Sequence, residues 1–160
     1  RCDGIILSVI DYNFRFQRPQ HLASRFVADG HRVFYVNANF IRSDSITAEQ
    51  KNLFIVDFAS ADYSAIYNMN GEVASDWMEE HLSNLVNSQA IRDAVVIVDY
   101  PNWVYGAEYL RKMYGFRIVT DYMDDYTGFI GTSEVFLKDN CIRLLGEAIW
   151  WLRAHSFYMK

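Results

Sequence analysis

The chain has 160 residues, of which 51% are hydrophobic and 22% are charged. This length corresponds to about one domain. The apolar content is sufficient for a hydrophobic core, and the charge content is too low for a disordered segment. The 15 Lys and Arg residues against 20 Asp and Glu residues give a formal net charge of −5. A mildly acidic chain lacks the basic footprint of a nucleic-acid-binding surface, so we expect no nucleic-acid partner.

Two further classes of protein are disfavoured. No apolar run approaches the length of about 18 residues that marks a membrane-spanning helix, and the N-terminus enters a strand pattern directly, without a signal peptide. Cys2 and Cys141 match neither a zinc spacing nor a CxxC motif, and two cysteines cannot build a disulfide framework. We therefore expect a reduced, cytoplasmic protein with no metal site.

Both ends of the sequence indicate a piece of a longer protein. The chain begins at Arg1 rather than at Met, and residues 155–160 read like the middle of a strand. A tag or an excised domain would explain both observations. We therefore expect further sequence beyond these 160 residues.

Short apolar runs alternate with longer amphipathic stretches. Residues 4–10 predict a strand that is apolar on both faces, as a buried parallel strand is. Residues 11–18 follow as a loop, and Pro19 starts a helix that ends at residues 29–30. A second strand is predicted at residues 32–37. This strand–helix–strand unit predicts a parallel pair of strands.

The same alternation continues to the end of the chain, after a polar loop at residues 39–50. Strands that alternate with helices are typical of an α/β fold. We predict one domain over residues 1–160, with a Rossmann-like, open, mostly parallel sheet and helices on both faces. The further predicted strands are residues 53–57, 94–99, 117–122 and 156–159, and the further helices are residues 76–88, 105–113 and 133–153.

Three loops are the candidates for a binding site. Ligands of open α/β sheets bind outside the carboxyl ends of the strands, where the strand order reverses. This rule selects the loops at residues 11–19, 99–103 and 121–131, which are rich in polar and aromatic residues. A loop that only connects elements is more often short and made of Gly, Asn or Ser.

The first loop contains neither a GxGxxG turn nor a P-loop, so NAD and ATP binding are disfavoured. It begins at Asp11, and Arg15, Arg18, Gln20 and His21 place hydrogen-bond donors around the start of the helix. Together with the free amides of that helix end, this set suits a carboxylate, a phosphate or a polyhydroxy ligand. The alternative is that Arg18 and His21 cap loops of the domain itself.

The second loop offers two aromatic rings. Tyr100 and Trp103 suit stacking on the C–H face of a sugar. The alternative is that Trp103 belongs to the core and that Pro101 only starts the next helix.

The third loop offers the carboxylates Asp124 and Asp125. Adjacent aspartates point in different directions, which disfavours a catalytic pair, and no further metal ligands lie nearby in the sequence. We expect these residues to accept hydrogen bonds from sugar hydroxyls or to brace the loop. Two histidines outside the loops are assigned no site: His31 is expected to be structural and His81 to be exposed.

The sequence resembles a known family at three segments. FQRPQHL at residues 16–22, followed by GHRVFYV at residues 30–36, resembles the start of bacterial GT-B glycosyltransferases, the group-1 or family-4-like enzymes that build surface polysaccharides. DYMDDYTGF at residues 121–129 is similar to a Tyr- and Asp-rich segment of that family that precedes a long helix containing a Glu, here Glu147. The resemblance covers most of the chain in spaced blocks.

The resemblance implies that the chain is one half of a GT-B fold, namely the N-terminal, acceptor-side domain. The full enzyme would move a sugar from a nucleotide-sugar donor to a glycan or lipid-linked acceptor. A C-terminal domain of the same protein, absent from this chain, would bind the donor, so this half needs no cofactor and would be inactive alone. Peripheral membrane association of the full enzyme is compatible with such an acceptor.

If the resemblance holds, we expect the acceptor to be bound by Asp11, Arg18, Gln20, His21 and either Asp124 or Asp125. No catalytic residue is assigned, and both retaining and inverting transfer stay open. Two other functions also stay open at this point. One is a nucleotide-sugar epimerase built on a GT-B-like scaffold, and the other is a non-catalytic binding domain.

Overall fold

A computed structural model of the chain describes residues 2–69, 74–124, 126, 134–147 and 150–153. Within these residues the backbone forms seven strands and four α-helices. The strands are β1 (Asp3–Leu7), β2 (Val33–Val36), β3 (Ser45–Gln50), β4 (Leu53–Asp57), β5 (Ala94–Val98), β6 (Arg117–Tyr122) and β7 (Trp150–Arg153). The helices are α1 (Arg18–Ala28), α2 (Ser75–Ser88), α3 (Val104–Tyr114) and α4 (Glu134–Glu147).

The strands form one open sheet in the order β3-β4-β2-β1-β5-β6-β7. Of the seven described strands, only β3 runs antiparallel to its neighbour. The chain builds outward from β1 through β2 to β4, and then crosses to the other side of β1 with β5 and β6. The strand order therefore reverses between β1 and β5, where sheets of this kind bind ligands. The predicted Rossmann-like, mostly parallel sheet is confirmed.

Helices cover both faces of the sheet, and the side chains of each strand alternate between those faces. On one face, Ile6 and Ile97 pack with Ala23 of α1. On the other face, Ile5 belongs to a larger core that includes Met78 of α2 and further residues of α3 and α4. The position of a residue along its strand therefore decides which helix it faces. No helix in the described part of the chain combines the length and the apolar character needed to cross a membrane.

Most predicted elements are found at or near their predicted positions. β4 and β6 match the predicted strands at both ends. α1 carries Pro19 in its first turn and stops before Gly30, whose φ of 87° ends the helix in the left-handed region. α3 ends in the same way at Gly115.

Two predictions about secondary structure are wrong. The predicted polar loop at residues 39–50 contains the strand β3, an exposed edge strand whose pairing with β4 supplies the regularity that its polar sequence does not show. The predicted helix at residues 133–153 ends at Glu147, and the Trp150-Trp151 pair lies in β7, parallel to β6. The predicted strand at residues 156–159 lies outside the described residues.

His81 is half-buried, not exposed as predicted. Its ring lies 4.3 Å from the Trp77 ring and 5.2 Å from the Phe58 ring, measured between centroids. Its Nδ1 lies 2.9 Å from the Trp77 carbonyl oxygen, and its Nε2 lies 3.3 Å from an Asp44 carboxylate oxygen. The face of α2 that carries His81 is covered by the segment between β2 and β3, which the helical pattern alone does not reveal.

Substitutions at Gly115 and Gly146 test whether α3 ends at a residue in the left-handed conformation. A Cβ added at either position would meet nothing within 4 Å, but Gly115 has a φ of 70°, whereas Gly146, the next-to-last residue of α4, is not in the left-handed region. We expect Gly115→Ala to lower the free energy of unfolding by about 1 kcal/mol, because Ala is strained in the left-handed region.

Gly146→Ala is the matched control and should not lower the free energy of unfolding, because Ala fits the helical backbone there without strain. Urea unfolding of the two variants measures both values. Equal effects of the two substitutions would contradict the assigned helix end.

Candidate functional site

Three loops leave the sheet at one edge, which we call the carboxyl edge: the segments after the C-terminal ends of β1, β5 and β6. These three strands are neighbours in the sheet and flank the point where the strand order reverses. The three loops selected from the sequence therefore begin side by side.

Gln20 fixes the shape of the β1–α1 loop. Its Nε2 donates hydrogen bonds to the carbonyl oxygens of Asp11 and Tyr12 at 3.3 and 3.1 Å, and its Oε1 accepts one from the Gln17 N–H at 3.1 Å. The last contact is part of a capping box at the start of α1. The Gln20 side chain is 0% exposed, so the prediction that it contacts a ligand is corrected: Gln20 holds the loop from inside.

Asp11 binds a neighbouring loop. One of its carboxylate oxygens accepts a hydrogen bond from the Asn39 N–H at 2.9 Å, and the other accepts one from the Asn39 Nδ2 at 2.8 Å. Asn39 lies in the segment that follows β2. Asp11 therefore lies at the carboxyl edge as predicted. Its carboxylate connects the β1–α1 loop to the segment that follows β2.

Arg18 forms an ion pair with Asp121. Arg18 is the first residue of α1, and its Nε lies 2.8 Å from Oδ2 of Asp121 in β6. The Asp121 side chain is 0% exposed, whereas the Arg18 side chain is 35% exposed. The positive charge of Arg18 therefore has a buried counterion on one side and solvent on the other.

A second carboxylate lies beside this ion pair. β5 and β6 are aligned with Val98 next to Thr120, which makes the following residues, Asp99 and Asp121, neighbours at the strand ends. Side chains two residues apart in a strand share a face, and Ile97 packs on the α1 face. Asp99 therefore belongs to the same side of the sheet as α1, where Arg18 lies.

Asp99 is buried, and no described residue makes a hydrogen bond to either of its carboxylate oxygens. Its backbone is held in place, because its N–H donates to the Leu7 carbonyl at 3.0 Å and its carbonyl accepts from the Tyr126 hydroxyl at 2.7 Å. A buried carboxylate without a hydrogen-bond donor is costly and is rare in folded proteins. Such a group is stabilised by taking up a proton or by binding a ligand or water.

Burial dominates the electrostatics of both carboxyls. It raises the pKa of Asp99 well above the ordinary value of an aspartate, and the negative charge of Asp121 raises that pKa further while Arg18 opposes the shift. Burial also raises the pKa of Asp121, and the nearby Arg18 charge opposes that shift. The two carboxyls therefore retain a proton at a higher pH than exposed aspartates do.

Tyr100 and Trp103 do not offer ring faces to a sugar. The Trp103 Nε1–H donates to the Ser8 carbonyl at 2.9 Å, and the Tyr100 ring packs edge-on against Tyr67 and Tyr126. Both side chains are fully buried, so the predicted stacking role is corrected in favour of the core. The physical reason is that the β5–α3 connection is a single 3-10 turn, which is directed into the core and not into solvent.

The exposed part of the site comes from the other two loops. Arg15 and His21 are exposed in and just after the β1–α1 loop, and the His21 ring packs edge-on against Phe16 with centroids 4.5 Å apart. Asp124 is exposed just beyond β6. Asp125, also predicted to bind a ligand, lies outside the described residues. The structure thus gives the carboxyl edge an exposed set of donors, an acceptor and an aromatic ring.

Asp99 and Asp121 were not predicted as site residues, although Asp99 directly follows β5 and Asp121 is the next-to-last residue of β6. The sequence contained an indication of this role, because an aspartate that directly follows an apolar run is unusual in a protein core.

Within the described residues, no group of three or more His, Cys, Asp or Glu side chains is arranged to hold a metal ion.

We expect the ionisation of Asp99 to make the free energy of unfolding depend on pH. The folded-state pKa of Asp99 lies above the ordinary aspartate value of 3.8. Its contribution to stability is therefore fully present below that value and is lost as the pH rises through the folded-state pKa. The free-energy penalty from Asp99 should thus grow as the pH rises above 3.8 toward the folded-state pKa.

Asp99→Asn removes the titrating group while keeping its shape, so it should flatten this pH dependence in urea unfolding. Asp93→Asn, at the exposed Asp93–Arg117 ion pair, is the control and should retain it. A pH profile of Asp99→Asn that follows that of the wild type would contradict the assignment.

Solved structures similar to the chain include GT-B glycosyltransferases. Sucrose-phosphate synthase from Thermosynechococcus elongatus matches with a TM-score of 0.65 and 11% identity, over 94% of this chain and 42% of that one. Os79 from O. sativa, solved in complex with UDP, matches with a TM-score of 0.54 and 14% identity, over 77% of this chain and 29% of that one. The α,α-trehalose 6-phosphate synthase from Burkholderia multivorans matches with a TM-score of 0.50 and 11% identity, over 89% of this chain and 37% of that one.

No family model and no curated protein sequence matches the chain. The chain spans less than half the length of each of these three structures. At such identities the likeness concerns the fold and does not extend to activity. At that level, the resemblance seen in the sequence is confirmed: the chain has a Rossmann-like α/β fold that is found in GT-B glycosyltransferases.

Proposed function

We propose that residues 1–160 are the N-terminal, acceptor-side half of a glycosyltransferase, and that the carboxyl edge binds a glycan or lipid-linked acceptor. The full protein would transfer a sugar from a nucleotide-sugar donor, in the cytoplasm, during the synthesis of a surface polysaccharide. The observation that carries the proposal is the position of the exposed polar residues: they leave the sheet beside the point where its strand order reverses.

The chemistry of this edge suits a sugar ring. Arg15, Arg18 and His21 can donate hydrogen bonds, and Asp124 can accept them. Phe16 presents an aromatic surface of the kind that packs against the C–H groups of a sugar, since the residue is 58% exposed. A mixture of donors, acceptors and one ring face is what a polyhydroxy ligand requires.

The donor site is proposed to lie outside this chain. The β1–α1 loop has no glycine-rich turn that would allow close approach of a pyrophosphate. The three similar structures described above are each more than twice as long as the region that this chain covers, and one of them was solved with UDP. Sugar transfer requires exclusion of water from the reacting groups. We therefore propose that this half alone is inactive and that a second, donor-binding half closes over it.

His21→Ala tests the acceptor site with little risk to folding, because His21 is exposed. In the gene product that carries this chain, we expect His21→Ala to lower kcat/KM by about tenfold, the value of roughly one lost ligand hydrogen bond. The measurement is release of the nucleoside diphosphate from a panel of nucleotide sugars, with the active donor and acceptor pair identified first in the wild type.

His31→Ala is the matched control, because His31 contacts the Cys2 carbonyl beyond the far end of α1. This control should keep wild-type kcat/KM within about twofold. Equal activities of His21→Ala and His31→Ala, or no nucleotide release from any donor in the panel, would contradict the proposal. Arg18 is not suited to this test, because its removal leaves the buried Asp121 without its counterion.

A further inference from the structure

Arg18 is the half-buried cation of the carboxyl edge, and its charge is already balanced. We infer that the site around Arg18 selects an uncharged hydroxylated ring over a phosphorylated one, and that Asp121 is the residue that sets this selectivity. The inference rests on the proposed function, since it names the class of sugar that the acceptor site takes.

The counterion of Arg18 cannot move aside for a ligand. Asp121 lies within a strand, its side chain is 0% exposed, and it contacts the Arg18 Nε at 2.8 Å. A phosphate that bound the same guanidinium would place a second anion beside that fixed carboxylate. Like charges held so close repel each other strongly where water is excluded.

The protonation state of Asp99 decides whether the summed charge of the side chains around Arg18 is zero or negative. With Asp121 ionised against Arg18 and Asp99 protonated, the three side chains Arg18, Asp121 and Asp99 sum to zero charge. With Asp99 ionised, the sum is one negative charge. Neither state offers the net positive charge that attracts a phosphate, and both leave N–H groups of the Arg18 guanidinium for neutral hydroxyl oxygens.

The start of α1 does not restore an anion site. Helix N-termini attract anions through amides that lack partners. Here Gln17 and Gln20 form a capping box that occupies part of this set. The usual source of positive potential at a helix start is therefore reduced.

Arg15 is the competing cation of the same loop. It is exposed, so it could hold a phosphate only through a solvated contact, which is weak. A phosphate held by Arg15 would make the edge accept phosphorylated sugars regardless of Asp121. The test must therefore separate Arg15 from Arg18.

The test compares matched pairs of probes: glucose, mannose and galactose with their 6-phosphates. Dissociation constants for the gene product that carries this chain are measured by saturation-transfer-difference NMR. We expect a neutral sugar of the panel to bind wild type about tenfold more tightly than its 6-phosphate. Its affinity should not change between low and high salt, because no net charge is involved.

Asp121→Asn should reverse the preference, because it leaves the Arg18 charge unbalanced. The 6-phosphate should gain about tenfold relative to the neutral sugar, and this gain should fall at high salt. Asp93→Asn, at the exposed ion pair with Arg117, is the charge-matched control and should leave the preference unchanged. Arg15→Ala should also leave the preference unchanged.

Four results would overturn the inference: equal or tighter binding of a 6-phosphate by wild type, no binding of any neutral sugar, an unchanged preference in Asp121→Asn, or a preference that depends on Arg15. Where Asp121→Asn does not fold, the wild-type preference and its salt dependence decide the question. The nucleotide-release assay tests the proposed function separately. A glycosyltransferase that prefers a phosphorylated acceptor would thus refute this inference alone.

Discussion

The ion pair between Arg18 and Asp121 is the constraint on which the carboxyl edge depends. It joins the first residue of α1 to β6, two strands away from β1 in the sheet, and so spans the point where the strand order reverses. Asp121 is buried and its charge must be compensated there, since a buried carboxylate without a partner is costly. The start of α1 is thereby held against the end of β6.

The same ion pair explains why two separate sequence segments belong to one site. FQRPQHL supplies Arg18 together with Gln20, which fixes the loop from inside, and DYMDDYTGF begins with Asp121. The exposed side chains that follow each of these residues, His21 and Asp124, therefore lie at the same edge of the sheet. Buried residues set the geometry, and their exposed neighbours are left for a ligand.

The fold was predictable where hydrophobic patterning carries the information. β6 is one example, since an apolar run marks it. α1 is another, since Pro19 marks its start and Gly30 follows its end. β3 was not predictable, because an exposed edge strand is specified by its pairing with β4 and not by its own polar sequence. β7 was missed because Trp150 and its neighbours continue the helical spacing of α4.

The site was only partly predictable for a related reason. Sequence position correctly assigned Arg18 to the carboxyl edge, because loops after parallel strands share one edge. It could not separate ligand-facing residues from buried ones: Gln20, Tyr100 and Trp103 sit in those loops and yet face the interior. Burial depends on the path of the whole chain, and the pairing of Arg18 with Asp121 depends on β6 lying beside β5.

A double-mutant cycle between Arg18 and Asp121 tests this account most directly. Urea unfolding of Arg18→Ala, Asp121→Asn and the double variant gives the coupling free energy of the two side chains. We predict a coupling of about 1–3 kcal/mol, lower than for a fully buried pair because Arg18 reaches solvent. Additive effects within about 0.5 kcal/mol would show that the two residues act independently, and would contradict the account.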